Sequence, residues 1–183
     1  MKYTEKAIQI IETARDLFAE KGFKAVTTRE IAQKAGVNEV TIFRHFDNKD
    51  NLFAQIIKYK SSKIELNRFI NPSEPNLDHY LMGIAKLIQH IFTSNIEIFK
   101  IELFERNRID KMALIKDMPN KVKNMMADYL VTNHSMTEQD AKCFAVTFMT
   151  SVHGLCMNIY LLKTFSPLPD FDACVALMVK KYS

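Results

Sequence analysis

An all-helical fold is what this sequence predicts, and three observations predict it. Glycine and proline are scarce, at four and five in 183 residues. No stretch alternates β-branched with polar residues as a half-buried strand would. Apolar residues recur instead three and four apart in segment after segment, the spacing of helices that bury one face. With 48% hydrophobic residues the chain has the apolar surface for a packed core and is not a disordered coil.

The first helix is "EKAIQIIETARDLFAEK", in which Ala7, Ile11, Ala14 and Phe18 share a face flanked by Ile8 and Leu17. It ends at Lys21, because Gly22 supplies a left-handed stop. Thr27 then caps a second helix over Thr28–Lys34, with Glu30 three residues on as its capping-box partner. Ala35, Gly36 and Val37 make a tight turn, Asn38 is an N-cap, and the third helix spans Glu39–His45. Two short helices joined by a glycine-containing turn form a helix-turn-helix unit. Ile31, Ala32, Val37, Ile42 and Phe46 can close a small core over Phe18 and Phe23. That leaves Glu39, Val40, Thr41, Phe43 and Arg44 facing outward. Exposed Val and Phe suit a major groove, where apolar atoms meet thymine methyls and Arg meets guanine. A helix of this size is about 10 Å long, which fits a groove.

Asn48 caps a fourth helix expected to run to Asn71, where Pro72 stops it. Pro72, Ser73 and Pro75 form a joint. Helical spacing resumes over 77–92 and 96–109, then from near Pro119 to near Val131. Thr137 and Asp140 open a long helix with a capping box, and a last helix follows Pro167 and Pro169.

Charge is unevenly shared along the chain. Residues 1–63 hold 12 Lys and Arg against 8 Asp and Glu, whereas residues 64–183 hold 13 of each, so the whole net +4 lies in the first third. Such an excess is the footprint of a surface that meets phosphates, although a solvated face with chance bias has the same look. No run of about 18 apolar residues is long enough to cross a bilayer, and the charged N-terminus is unlike a signal peptide. The chain therefore reads as cytoplasmic. Cys143, Cys156 and Cys174 are odd in number and lack C-x-x-C spacing, as expected of reduced thiols packed in an interior.

The stretch "TTREIAQKAGVNEVTIFRHFDNKDNLF", within residues 7–53, resembles the tetracycline-repressor (TetR) family of bacterial transcription regulators. What carries the likeness is the capped helix, the Ala-Gly-Val turn, the Thr-aliphatic-aromatic-x-His-Phe run and the Lys-acid-x-Leu that follows. Phe43 stands where the family usually has Tyr, and Val40 where smaller residues or Pro are common. The resemblance implies double-stranded DNA, as a palindromic operator, for a partner. It places Thr28 and Arg29 at the phosphate backbone, Glu39, Val40, Thr41, Phe43 and Arg44 in or beside the major groove, and His45 and Lys49 on flanking phosphates, with the N-cap Asn38 also counted among the DNA-binding residues. Glu39 either accepts from a cytosine N4 or repels the backbone, two alternatives that the residue type leaves open.

The last two helices are apolar nearly all round, through Phe144, Val152, Leu155 and Ile159 on one and Phe171, Cys174, Leu177 and Met178 on the other. Such helices need cover on every side, from a second copy of the chain or from the centre of a monomer. The resemblance favours the copy, as a homodimer. Met82, Phe92, Phe99, Phe104, Met125, Phe148, Met149 and Tyr160 suit either an ordinary core or a pocket for an apolar or aromatic small-molecule effector, which the resemblance also implies. His153 and Cys156 share a helical face but lack a third ligand, so no metal is expected and they read as core residues. The five histidines have no carboxylate partners at a suggestive spacing, and neither a cofactor nor an enzymatic role is expected.

The expected organisation is a homeodomain-like helix-turn-helix DNA-binding domain over 1–47, a connecting helix over 48–71, and a helical ligand-binding and dimerisation domain over 72–183. The expected function is a ligand-responsive homodimeric repressor. The alternative is a constitutive DNA-binding or protein-interaction module without a ligand.

Overall fold

A computed structural model describes residues 3–61, 64–104 and 113–181, the side chains of 61, 101–104 and 113–116 excepted. Nine α-helices occupy the described residues, and no strand occurs among them. They are α1 (Glu5–Lys21), α2 (Thr28–Lys34), α3 (Glu39–Phe46), α4 (Lys49–Ser61), α5 (Leu77–Ser94), α6 (Ile96–Phe104), α7 (Ala113–His134), α8 (Glu138–Cys156) and α9 (Phe171–Val179). Packing groups the chain into two compact units. One comprises residues 1–63 and 95–116, the other residues 64–94 and 117–183.

In the first unit, α1 is the support on which the short helices sit. Ile10, Ile11, Ala14, Leu17 and Phe18 bury one of its faces, and α2, α4 and α6 all pack against it. Phe18, Phe23 and Phe53 meet in a triangle of rings with centroids 4.9, 5.9 and 5.5 Å apart. Burying each such side chain is worth about 1.5–3 kcal/mol. Each helix start in the head of this unit is closed by a side chain. Thr4 accepts from Ala7 N, Thr27 from Glu30 N, Asn38 from Val40 N and Asn48 from Asn51 N. At Gly36 the α2–α3 turn takes φ +62°, a left-handed angle that a side chain disfavours. Gln9 Nε2 donates to Ala35 O at 3.1 Å and so ties α1 to that turn. Glu30 lies below the usual carboxylate range, chiefly through its hydrogen bond from Lys21, with the Thr27 backbone N–H contributing as a capping box requires.

In the second unit α5 packs against α8 and α9. Tyr80 of α5 and Tyr129 of α7 stack with centroids 3.5 Å apart, their hydroxyls donating to Met125 O and Glu74 O. Lys86 pairs with Asp172 and joins α5 to α9. Gly83 admits the carbonyl of Phe69, which would lie 2.4 Å from any Cβ placed there.

Five expectations need correction. Helix α4 ends at Ser61, ten residues before Asn71, and a 3₁₀ turn at Leu66–Arg68 follows. Between Ser61 and Asn71 the described residues bury Ile70 and leave Ile64, Leu66 and Phe69 half-buried. Helix α7 starts at Ala113 and carries Pro119 inside, at the cost of one backbone donor, where the sequence suggested a start at the proline. The long helix does not continue regularly past Cys156. Met157–Leu162 widen into a π-helix. Glu138–Leu162 is nevertheless long and apolar enough to cross a membrane by length and composition, since its Thr, Ser and His interrupt the apolar residues without adding charge. Of the three thiols only Cys156 is buried, while Cys143 is exposed and Cys174 half-buried. The expected helix over 96–109 is described to Phe104, and residues 105–109 lie outside the described residues.

Candidate nucleic-acid interface

Helix α3 sorts its eight residues onto two faces. Ile42 and Phe46, four apart, are buried in the core of the first unit. Turned the other way are Val40 and Phe43, 69% and 47% exposed, with Arg44 and His45 exposed beside them. Apolar side chains this open, on a helix whose start is capped by Asn38, lose stability against water unless something covers them. Thr41 and Glu39 are half-buried at the edge of this surface.

The first residue of α2 meets the first residue of α3. Thr28 Oγ1 donates to Glu39 Oε1 at 2.6 Å. Both side chains are half-buried, and Arg29 beside Thr28 is exposed. The structure therefore brings Thr28, Arg29, Asn38, Glu39, Val40, Thr41, Phe43, Arg44 and His45 together on one helix-turn-helix.

Lys49 differs from the rest of the expected set. Its ammonium donates to Phe23 O at 2.9 Å and to Val26 O at 2.7 Å, and it lies 4.4 Å from the centroid of the Phe23 ring. Its charge is spent on the connection between α1 and α2. Lys24, which sits between those two carbonyls, is exposed and was not anticipated. Its only signal in the sequence is a basic residue in the loop ahead of a capped helix.

The remaining candidates belong mostly to the second unit. Phe92 and Phe148 are fully buried there, and Met82, Met125, Met149 and Tyr160 are half-buried. Phe99 is half-buried in α6 of the first unit, and the side chain of Phe104 lies outside the described residues. Around Phe92 stand His153, edge-on at 5.6 Å, and Tyr160 at 6.4 Å, the latter accepting a hydrogen bond from Gln89 Nε2. Burial holds His153 below its ordinary pKa and pushes the Cys156 thiol up to about 12, so both are neutral near pH 7.

The apolar set on α8, the π-helix that follows it and α9 divides in the same way as α3. Val152, Ile159 and Phe171 are buried within the unit's own core, so they cannot serve an outer face. Phe144, Leu155, Cys174 and Met178 are half-buried, and Leu177 is 69% exposed. Among the described residues, the large exposed apolar side chains that the sequence did not single out are Val131, Val146, Leu162, Phe165 and Leu168. Reading α8 as apolar all round hid the distinction, because the stripe Ala141, Ala145, Phe148 and Val152 already fills the inner face.

Comparison with known proteins places this geometry. Residues 10–56 match the family model described as bacterial regulatory proteins, tetR family. An uncharacterized HTH-type transcriptional regulator of Bacillus subtilis, YvkB, is 32% identical over 133 residues, covering 72% of this chain and 68% of the relative. An HTH-type transcriptional repressor of Mycobacterium tuberculosis is 38% identical over 71 residues, 39% of this chain and 37% of the repressor. Among solved structures, the transcriptional regulator FadR of Bacillus subtilis, in complex with stearoyl-CoA, superposes with a TM-score of 0.71 over 94% of this chain and 95% of its own, at 16% identity. At that identity the likeness shows the fold.

Proposed function

The chain belongs to the tetR family of helix-turn-helix transcriptional regulators, and from that premise we propose that it is a homodimeric repressor, released from an inverted-repeat operator by a small-molecule effector. The observation that carries the DNA-facing half of this reading is the open pair Val40 and Phe43, 69% and 47% exposed, beside Arg44 on a capped helix of groove length. Val40, Thr41 and Phe43 meet base edges and thymine methyls, Arg44 a guanine, and Arg29, Asn38 and His45 border the backbone. Lys49 supports this surface from behind. In functional terms residues 1–47 read DNA, 48–71 connect, and 72–183 bind effector and partner.

Two copies joined through the open faces of α8 and α9, around Val146 and Leu177, would present two copies of α3 to half-sites about 34 Å apart or a multiple of it. The effector is apolar or aromatic. FadR, with the same fold, binds stearoyl-CoA, and the aromatic group of Phe92 and Tyr160 with the polar Gln89 offers contacts of both kinds. As a reader of bacterial DNA it works in the cytoplasm. A DNase footprint on the DNA flanking its own gene, at stated salt, tests the reading. A protected inverted repeat is expected, and a folded protein that protects no sequence at moderate salt would overturn it.

A further inference from the structure

We propose that Thr28 is a positioning residue, which spends its hydroxyl proton on Glu39 and thereby aims that carboxylate at one base pair of each half-site. The inference rests on α3 lying in the major groove, as proposed above. It assigns Thr28 a part other than holding a phosphate and chooses between the two parts open to Glu39.

Counting protons carries the argument. A threonine hydroxyl has one proton to donate, and here it goes to Glu39 Oε1 at 2.6 Å. Phosphate oxygens only accept, so the lone pairs left on Thr28 are of no use to them. The bond spans eleven residues and links the opening turns of α2 and α3, so it fixes where the carboxylate sits relative to both helices. A hydrogen bond to an ionised acceptor is about twice as strong as a neutral one, which makes the tie a firm one.

Glu39 is the first residue of α3, where the positive end of the helix favours an acid. A carboxylate held there has a second oxygen that can only accept. In a major groove the donors it can meet are the amino groups of cytosine N4 and adenine N6. The acceptors N7, O6 and O4 repel it. Discrimination therefore comes as much from rejecting the wrong edge as from gripping the right one. The ligand class assigned to Glu39 is an amino-bearing base edge.

The test starts from a pool of randomised duplex DNA. The native protein selects its preferred sequence, and competition binding then measures every substitution at each position for native protein, Thr28→Val, Thr28→Ser, Glu39→Gln and the Thr28→Val/Glu39→Gln pair. A cytosine or adenine amino edge is expected at one position per half-site. Thr28→Val flattens that preference by about ten-fold and leaves the salt dependence unchanged. Thr28→Ser restores it, Glu39→Gln flattens the same position, and the pair adds nothing further, because the two residues act as one. Thr28→Ala replaces the valine variant should valine disturb the turn. A Thr28→Val protein that weakens on all sequences alike, with a salt slope lower by about one, would make Thr28 a phosphate contact and overturn the proposal, as would an unchanged preference. A native protein that enriches no sequence overturns the groove placement itself, a failure seen before any variant is made.

Discussion

On the proposed reading Arg44 contributes the strongest single discrimination, at a guanine, because its guanidinium is exposed on the outer face of α3 and its planar fork matches the two acceptors of that base. Arg44→Ala is expected to lose about 1–3 kcal/mol between the preferred operator and its single-base variants, measured as a ratio of affinities at one salt concentration. Equal weakening on every sequence would move Arg44 to the backbone. A second residue tests the interior. Burial lowers the pKa of His153, so the unfolded chain binds its proton at a higher pH than the folded one. Stability from this residue is present above the unfolded value of about 6.5 and falls as the pH drops below it. The melting temperature of the native protein should therefore fall more steeply from pH 7.5 to pH 5 than that of His153→Gln, and parallel curves would show that His153 charges freely in the fold.

At the level of elements, the junction of α4 with the α1–α2 connection is held by Lys49, whose bonds to Phe23 O and Val26 O fix the first turn of α4. Lys49→Met keeps the stem and removes the donors. It is expected to destabilise the protein by about 1–3 kcal/mol in urea unfolding while leaving the salt slope of DNA binding as it was. A slope lower by one with stability intact would return Lys49 to the phosphates. The same junction shows what was legible in the sequence. Helices α1 to α3 were, because Thr27, Asn38 and Gly36 are residues whose chemistry marks a boundary wherever they stand. The partners of Lys49 were not, since backbone carbonyls 23 and 26 residues away have no signature in side-chain spacing. Nor was the bond from Thr28 to Glu39, which depends on how the turn folds back. At the end of α4 and the start of α7 proline does not mark the boundary, since Pro72 lies beyond the helix and Pro119 within one. The π turn at Met157–Leu162 continues an apolar helical pattern and leaves no mark in it.

For the molecule as a whole, the proposed function requires that effector occupancy weaken binding to an inverted repeat, and that this binding depend on two copies. Leu177 and Val146 are the places to break the pairing, because they are exposed in one chain and take no part in its core, so a charge there costs the folded monomer little. Leu177→Glu and Val146→Glu together are expected to give a folded monomer by sedimentation at micromolar concentration. That monomer should hold a single half-site weakly and gain nothing from the second, since linking two binding events raises affinity only when both heads are joined. Native protein should bind the full repeat far more tightly than the half-site. The effector adds a second constraint. A compound that lowers operator affinity by some factor must itself bind less tightly, by the same factor, to protein already on the operator. Measuring that compound's affinity with and without operator DNA closes the cycle. Equal affinities would mean that the compound does not act through the DNA-binding equilibrium, and a monomeric native protein that holds the whole repeat would remove the interface on α8 and α9 from the mechanism.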